Sequence, residues 1–400
     1  MKPLKYDFLI IGAGVIGLAT GISLLRQKPN SKVIIVEKED SISKHASGRN
    51  SGVLHAGFYY SPDSLKAEFC RKGNLEIRSL AKKYQIPIKN TGKVVVACNK
   101  EEVSQLENLY QRGVQNKVDI EILDQSKLYK IEPLAKTFEK FLWSPTTGVS
   151  DPIKINHALM QEFLSLGGEI EFGKRLTLQT KGGQIIDAAG VFDAKIYINS
   201  AGSQANLISK NVGAGQEYLM IPFLGTYHST DFQSLPLKTL VYPVPHPVNP
   251  FLGIHFTISI NNKIKIGPSA IPILGREQYT LVKGWSIPDA IESFRGLKSL
   301  VRSESHNVME VLKSEVPKIF VSNMVRNSSR LVPDALMVNK WKPSPSGIRA
   351  QLIDKRTGNL VQDFLVSKHL NSVHILNAVS PGWTSALPFG RHVANVALGI

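Results

Sequence analysis

The sequence predicts an α/β fold in which a Rossmann-like dinucleotide-binding domain is interleaved with a second, α+β domain built on a β-sheet. Three observations carry that expectation. A glycine-rich turn between two short apolar runs stands near the start of the chain, β-rich and Pro-punctuated text fills about 221–269, and a strand followed by a small-residue turn recurs near 194–202 and 373–385. Such recurrence means that the nucleotide-binding layer is left and re-entered. The expected domains are therefore discontinuous: 1–90, 150–215 and 345–400 bind the nucleotide, while 91–149 and 216–344 bind substrate.

The first element is the most informative. YDFLII, residues 6–11, reads as a buried strand, and Gly12-Ala13-Gly14-Val15-Ile16-Gly17 follows at once. A helical pattern runs to Leu25, then a second strand, Val33 to Val36, ends on Glu37 and Lys38. Gly12 permits the tight turn, Gly14 lets a pyrophosphate approach the backbone, and Gly17 lets helix and strand pack closely. The helix N-terminus, with Val15 and Ile16 in its first turn, aims N–H groups and a partial positive charge at the phosphates. Glu37, about 20 residues past the last glycine, stands where a ribose-binding acid belongs. The motif alone leaves NAD and FAD open.

A simple NAD-binding unit would continue in βαβ repeats. Here a polar loop follows instead, Ser41 to Gly52, and then VLHAGFYY. The small side chains and exposed N–H groups of Ser47, Gly48, Asn50, Ser51 and Gly52 suit a second phosphate and the edge of an isoalloxazine ring.

Helical spacing returns in Ser64 to Tyr84, with Leu65, Phe69, Leu75 and Leu80 as expected anchors, and in Glu101 to Gln115; Thr91 to Cys98 reads as a strand. Asp151-Pro152 makes a helix start, with Asp as N-cap, and that helix ends at Gly167-Gly168. Short strands are expected at 169–172, 175–180, 183–186 and 194–200, the last closing on Ala201-Gly202. Alternation in 253–260 puts Ile254, Phe256 and Ile258 on one face, His255 and Thr257 on the other. Residues 287–330 are helical in period, 347–352 and 359–366 read as a hairpin about Thr357-Gly358, and Val373 to Asn377 is a strand before a final helix from Ala386.

The stretch SGRNSGVLHAGFYYSPDSLKAEFC resembles the FAD-dependent amino-acid-oxidase-like superfamily, and within it the L-2-hydroxyglutarate oxidase/dehydrogenase family. The likeness continues through NTGKVVVA, TTGVSD, NSAGSQANLIS, YPVPHPVNPFLGIHFT, IGPSAI, GIRAQLIDKRTGNLVQDFLV and NAVSPGWTSA, nearly the whole chain. It implies a two-domain flavoprotein. Gly12, Gly14, Gly17 and Glu37 would hold the ADP half of FAD; Ser47, Asn50, Ser51 and Gly52 would lie along its pyrophosphate and flavin. Ala201-Gly202 would close over the cofactor, and Gly382, Trp383 and Thr384 would face the pyrimidine end of the ring. There a helix N-terminus stabilises the negative charge of reduced flavin. Two departures stand out: Asn206 where the family usually shows Asp, and Leu224 where an Arg is expected that could bind the distal carboxylate.

Oxidising a 2-hydroxy acid needs a hydride acceptor for C2 and a base for the hydroxyl proton, with a pKa near the working pH, which favours His. His55 is the preferred base and His255 the orienting residue, against the alternative that each is a hydrogen-bonded core histidine. Tyr60 could bond a carboxylate or be a core aromatic. Arg349 is the expected carboxylate partner, because its planar fork binds in bidentate fashion; Lys93 and Arg276 are secondary. No metal is expected, since the histidines are scattered and no CxxC or HxxxH pairing occurs.

Composition is that of an ordinary globular protein, with 42% hydrophobic and 20% charged residues among 400. Two cysteines, Cys70 and Cys98, supply no disulfide framework. Nothing at the N-terminus resembles a signal peptide and no apolar run approaches the ~20 residues of a membrane span, so the expected compartment is cytoplasmic. The net charge of +16, from 48 Lys+Arg against 32 Asp+Glu, suits a small anionic substrate and peripheral attachment to an anionic membrane surface. No nucleic-acid motif accompanies it. The expected electron acceptor is oxygen or a membrane quinone. Alternative readings are a flavin-dependent amine, amino-acid or glycerol-phosphate oxidoreductase, and a non-catalytic nucleotide-binding protein.

Overall fold

A computed structural model describes residues 3–245, 253–303 and 313–400. Residues 246–252 of YPVPHPVNPFLGIHFT and 304–312 of the helical-period run lie outside the described residues. Six strands form the first sheet, in the order Leu365–His369, Ser372–Asn377, Phe192–Asn199, Leu4–Ile11, Val33–Val36 and Glu169–Glu171. All neighbours are parallel except the first pair.

Alternate side chains of the first strand serve opposite faces. Phe8 and Ile10 pack with the helices Val15–Gln27, Pro152–Ser165 and Ala386–Leu398. Leu9 and Ile11 pack with the hairpin Leu178–Lys181 and Gln184–Asp187 and with the helix Ala205–Asn211. Both faces are covered, which is why the strand reads as unbroken apolar text. Asp151 caps the second of those helices as expected, accepting from the N–H groups of Ile153 at 2.9 Å and Lys154 at 3.3 Å.

The second sheet runs Ile271–Pro272, Tyr218–Asp231, Lys263–Gly267, His255–Ile258, Leu240–Pro243, Lys93–Val96, Lys140–Ser144 and Glu121–Asp124, and Lys342–Asp354 also pairs with Tyr218–Asp231. Its core joins Val94, Val96, Ile254, Phe256 and Ile258 to Val103, Leu106 and Leu109 of the helix Lys100–Gln115. The expected alternation at 254–258 holds, with His255 and Thr257 left for the opposite face. A third, small sheet of Val53–Leu54, Gly148–Ser150 and Ile88–Lys89 carries the chain into His55.

Three expectations are corrected. Residues 345–354 join the second sheet rather than the nucleotide-binding layer, because the 14-residue strand Tyr218–Asp231 gives the 13-residue strand Lys342–Asp354 a partner along its length. The hairpin about Thr357-Gly358 reduces to one bridge, Ile353 to Leu360; the strand Leu365–His369 instead pairs with Ser372–Asn377. In the helix Leu65–Lys83, Leu75 is 60% exposed and anchors nothing, since the inward stripe is Phe69, Gly73, Ile77 and Ala81 at four-residue spacing. The period at 287–330 resolves into helices Ile287–Arg302 and Val321–Ser328 with a 3-10 turn, Val316–Ile319, between them.

The first and last helices pack so closely that a Cβ built on Gly390 would lie 2.6 Å from the carbonyl carbon of Ala19. Gly390→Ala is therefore expected to destabilise the protein by about 1–3 kcal/mol through overpacking, measured as a lower midpoint in chemical denaturation; an unchanged midpoint would show that the contact relaxes freely.

Candidate active site

The glycine turn is built by close approach. Gly12 has φ +100° and donates its N–H to Val36 O at 2.9 Å, while a Cβ on it would meet Ser200 O at 2.9 Å. A Cβ on Gly17 would lie 2.1 Å from Gly12 O, so this position is closed to any side chain. Gly14 starts the helix with neither a capping side chain nor an acid in the first turn. The Val15 N–H there meets the Ser47 hydroxyl at 2.9 Å. Donors without a competing carboxylate, beside backbone left bare by glycine, fit a diphosphate. Glu37 is held at the rim by its two oxygens, which accept from Ala13 N at 2.8 Å and Glu39 N at 3.0 Å.

These groups open onto a cavity of about 500 Å³. Gly12, Gly14, Val15, Ile16, Glu37, Lys38, Ser47, Asn50, Ser51, Ala201, Gly202, Gly382, Trp383 and Thr384 line it, with His55 and Arg349. Gly17 and Gly52 stand behind the wall. Gly52 has φ +74°, its added Cβ would lie 2.4 Å from Ser150 O, and its N–H is taken by Asn50 Oδ1 at 2.9 Å. Its part is to bend the loop, and that of the Asn50 side chain is to brace it, donating to Ser47 O at 2.8 Å. At the far end the buried Trp383 Nε1 has no hydrogen-bond partner, an orphan donor that suits a polar ring edge.

Thr384 joins that end to the candidate base. Its hydroxyl donates to Val53 O at 3.1 Å and accepts from His55 N at 3.3 Å, fixing the backbone on both sides of Leu54. The His55 ring opens onto the cavity, yet its Nδ1 is buried without a partner. Burial, and then the nearby Lys93 and His255, hold its pKa well below the usual histidine range. This corrects the expectation of a base poised near the working pH: in the free protein the ring is neutral.

His255 does not line the cavity. It lies on the second sheet, 5% exposed, stacked on Tyr242 at 3.8 Å between ring centroids. Its Nδ1 is 2.9 Å from Gly253 O; a carbonyl only accepts, so Nδ1 carries the proton and Nε2 is left as an acceptor. Burial depresses its pKa to about 3, with Arg349 and Lys93 adding to the shift. Tyr60 also sits behind the wall, facing Ser380, with its pKa pushed well up by burial. Arg349 lies opposite Phe223 in the long strand pair and faces the cavity.

Arg276 is not available to substrate. Its guanidinium pairs with Asp289 at 2.9 Å and with Glu292, and donates to Ser203 O and Asn206 Oδ1 at 2.6 and 2.5 Å. Asn206, the first departure from the family pattern, lies inside the helix Ala205–Asn211, accepting from Arg276 and donating to Glu292 at 3.0 Å, which an Asp could not do. Leu224 is buried with Ile271 and Ile273 and does not line the cavity. Among the described residues Glu39, His45 and Glu277 are grouped closely enough to ligate a metal, but Lys38 Nζ bonds all three, at 2.9 Å to His45 and 3.0 Å to Glu277. Sequence reasoning missed the strap formed there, in which Tyr279 receives the Arg49 guanidinium over its ring at 4.1 Å and meets His45 Nδ1 at 2.6 Å. More than two hundred residues separate the partners, so no local signal exists.

The profile of the FAD dependent oxidoreductase family matches residues 7–396. The chain is 34% identical to the mitochondrial L-2-hydroxyglutarate dehydrogenase of Caenorhabditis elegans, over 98% of this chain and 93% of that protein. It is 34% identical to the L-2-hydroxyglutarate dehydrogenase of Indibacter alkaliphilus, over 99% of each. In fold it is similar to the FAD-bound, dithionite-reduced L-α-glycerophosphate oxidase of Mycoplasma pneumoniae, with a TM-score of 0.78, 23% identity and coverage of 99% and 95%.

Gly17→Val forces the Gly12 carbonyl out of the turn. The variant is expected to keep its far-ultraviolet circular dichroism and to lose at least about tenfold in cofactor affinity, read by titrating FAD into protein stripped of flavin; wild-type affinity would show that the cradle does not hold the cofactor.

Proposed function

Because this chain belongs to the FAD dependent oxidoreductase family, we propose that it oxidises L-2-hydroxyglutarate to the 2-oxo acid at the cavity shared by the glycine cradle, His55 and Arg349. The observation that carries this is the opening of His55 and Arg349 onto one cavity with the dinucleotide cradle. The substrate name comes from relatives that match nearly the whole chain. FAD, when bound, supplies the acceptor for the hydride leaving C2. The chain's own residues do the rest. Arg349 holds a carboxylate, and His255, set behind the cavity wall with Nδ1 bonded to the Gly253 carbonyl, backs the site without touching the hydroxyl. His55 takes the hydroxyl proton. A dianionic substrate near Lys93 and Arg349 offsets the positive field around that ring, so the proton affinity of His55 rises when the site is loaded.

We further propose that the protein works at an anionic bilayer. No helix of the described residues is long and apolar enough to cross a membrane. The helix Ile287–Arg302 instead leaves Ile287 (69%), Ile291 (47%), Phe294 (61%) and Val301 (50%) exposed along one stripe. Arg295, Lys298 and Arg302 flank the stripe, and the exposed Val282, Lys283 and Trp285 precede it. Apolar side chains edged with cations suit the acyl–headgroup boundary, and a membrane quinone is then the nearest electron acceptor.

Anaerobic L-2-hydroxyglutarate is expected to bleach the flavin absorbance of the purified protein; bleaching by a panel amine or by glycerol phosphate alone would transfer the substrate to those classes. His55→Ala is expected to keep bound FAD and lose flavin reduction by roughly 10²-fold or more, and near-wild-type reduction would remove His55 from the chemistry. Flotation with phosphatidylglycerol vesicles at low salt is expected for the wild type and lost in the Ile291→Glu/Phe294→Glu double variant. Equal flotation of both, or a dimer at low salt that the variant abolishes, would take this face away from the membrane.

A further inference from the structure

Lys93 enters the account above only through its charge, and its surroundings say more. It is completely buried, and among the described residues its ammonium has no hydrogen-bond partner and no carboxylate pairs with it. Three aromatic rings surround it instead: Phe58 at 4.5 Å, Tyr59 at 4.4 Å and Tyr242 at 4.7 Å from Nζ to ring centroid. Rings offset part of the cost of a desolvated cation but do not satisfy its three N–H donors. The hydroxyls of Tyr59 and Tyr242 are buried without partners as well. Orphan donors so grouped share one deficiency, an acceptor. Lys93 also lies within electrostatic reach of both histidines, and His255 feels it together with Arg349. A substrate with a carboxylate at Arg349 thus has a second cation near the same histidines.

We infer that Lys93, with the Tyr59 and Tyr242 hydroxyls, is the receptor for the distal carboxylate of a dicarboxylic substrate, and so selects diacids over monoacids. This rests on the proposed oxidation and names the part of the site that recognises chain length and second charge. The ammonium has no surface in the free protein, so the carboxylate enters by parting the two tyrosine rings, and it brings the acceptor that all three groups lack. The role explains why Lys persists where an apolar residue of the same length would suit the cage better.

The test separates binding from turnover. Glutarate, a diacid without the hydroxyl, is titrated into FAD-bound protein and read by perturbation of the flavin spectrum. Lys93→Met and Lys93→Gln are expected to bind it about a hundredfold more weakly, to raise KM for L-2-hydroxyglutarate far more than they lower kcat, and to raise KM for L-2-hydroxybutyrate, a monoacid, far less than KM for the diacid. Lys93→Met is expected to melt no lower than wild type, because it removes an unpaired buried charge. Wild-type affinity for glutarate should fall about tenfold per pH unit as Lys93 deprotonates above about 7, a dependence absent from both variants. In the unliganded protein the other titratable groups against it do not change charge there, since burial raises Tyr59, Tyr242 and Cys70 and depresses His55 and His255. Any proton that His55 takes up with the ligand is common to wild type and variants, so the Lys93 contribution is the difference between their profiles. Glutarate affinity within threefold of wild type, or equal losses for diacid and monoacid with a lowered melting point, would overturn the assignment. A wild type bleached by L-2-hydroxyglutarate with unaffected variants defeats this inference alone. A wild type that is not bleached but binds glutarate in a Lys93-dependent way defeats the oxidation reading alone.

Discussion

The approach of the Gly12–Gly17 turn to Ser200 is the contact on which the rest of the site depends. Two crossovers of the parallel sheet meet there, and the Ser200 hydroxyl donates to both Ile11 O, at 2.8 Å, and Gly12 O, at 3.1 Å. That spacing leaves no room for a side chain at Gly12 or Gly17. It also brings the N-terminus of the first helix and the Ala201-Gly202 turn to opposite sides of one cavity. Without it the helix would still form, since its apolar face has its own partners in Phe163 and Phe389. The cradle would not, because unsatisfied N–H groups bind phosphate only where the backbone can be reached.

The substrate side obeys a different economy. The cofactor side is shaped glycine by glycine, whereas the substrate side gathers groups that have no hydrogen-bond partner among the described residues: the Lys93 ammonium, the Tyr59 and Tyr242 phenols and the His55 ring nitrogen. An unpaired buried polar group destabilises by about 1–3 kcal/mol and a charge by more. A chain under selection for stability alone would replace them, and groups of this kind mark sites where binding supplies the missing partner. The depressed histidines follow from the same burial. Desolvation comes first, with the charge of Lys93 beside both rings and of Arg349 beside His255.

Much of the nucleotide half was legible in the sequence because its signals are local. A strand, a turn with three glycines, a helix and an acid lie within residues 6–37, and the structure keeps their order. The Asp151 cap and the alternation about His255 were legible for the same reason. Leu75 was misjudged because one extra leucine on a four-residue stripe does not say which face turns inward. The strand Lys342–Asp354 was placed in the wrong layer because its partner, Tyr218–Asp231, lies more than a hundred residues away. The cage about Lys93 draws on three separate stretches, 58–59, 93 and 242, and Arg276 looked like a carboxylate receptor until Asp289 and Glu292 were seen beside it. Charge type can be read from a sequence, but the partner that answers it depends on packing.

How the two halves are brought into register is the last step. The cradle belongs to the first sheet, and Arg349, His255 and Lys93 belong to the second. His55 belongs to neither; it follows the short strand Val53–Leu54, which alone would be too small to hold a ring in place. Thr384 supplies the rigidity, since one hydroxyl bonds Val53 and His55 while its own backbone lies on the turn leading into the final helix. Gly73 lets that turn seat against the helix Leu65–Lys83, where a Cβ would come within 2.0 Å of Thr384 O. The position of His55 is thus set from the cofactor side. The carboxylate receptors are set from the substrate side, and the distance between base and substrate carbon depends on how the two sheets meet. If His55 is the base, as proposed, Thr384 is a positioning residue for proton transfer, because its hydroxyl fixes the backbone at Val53 and His55.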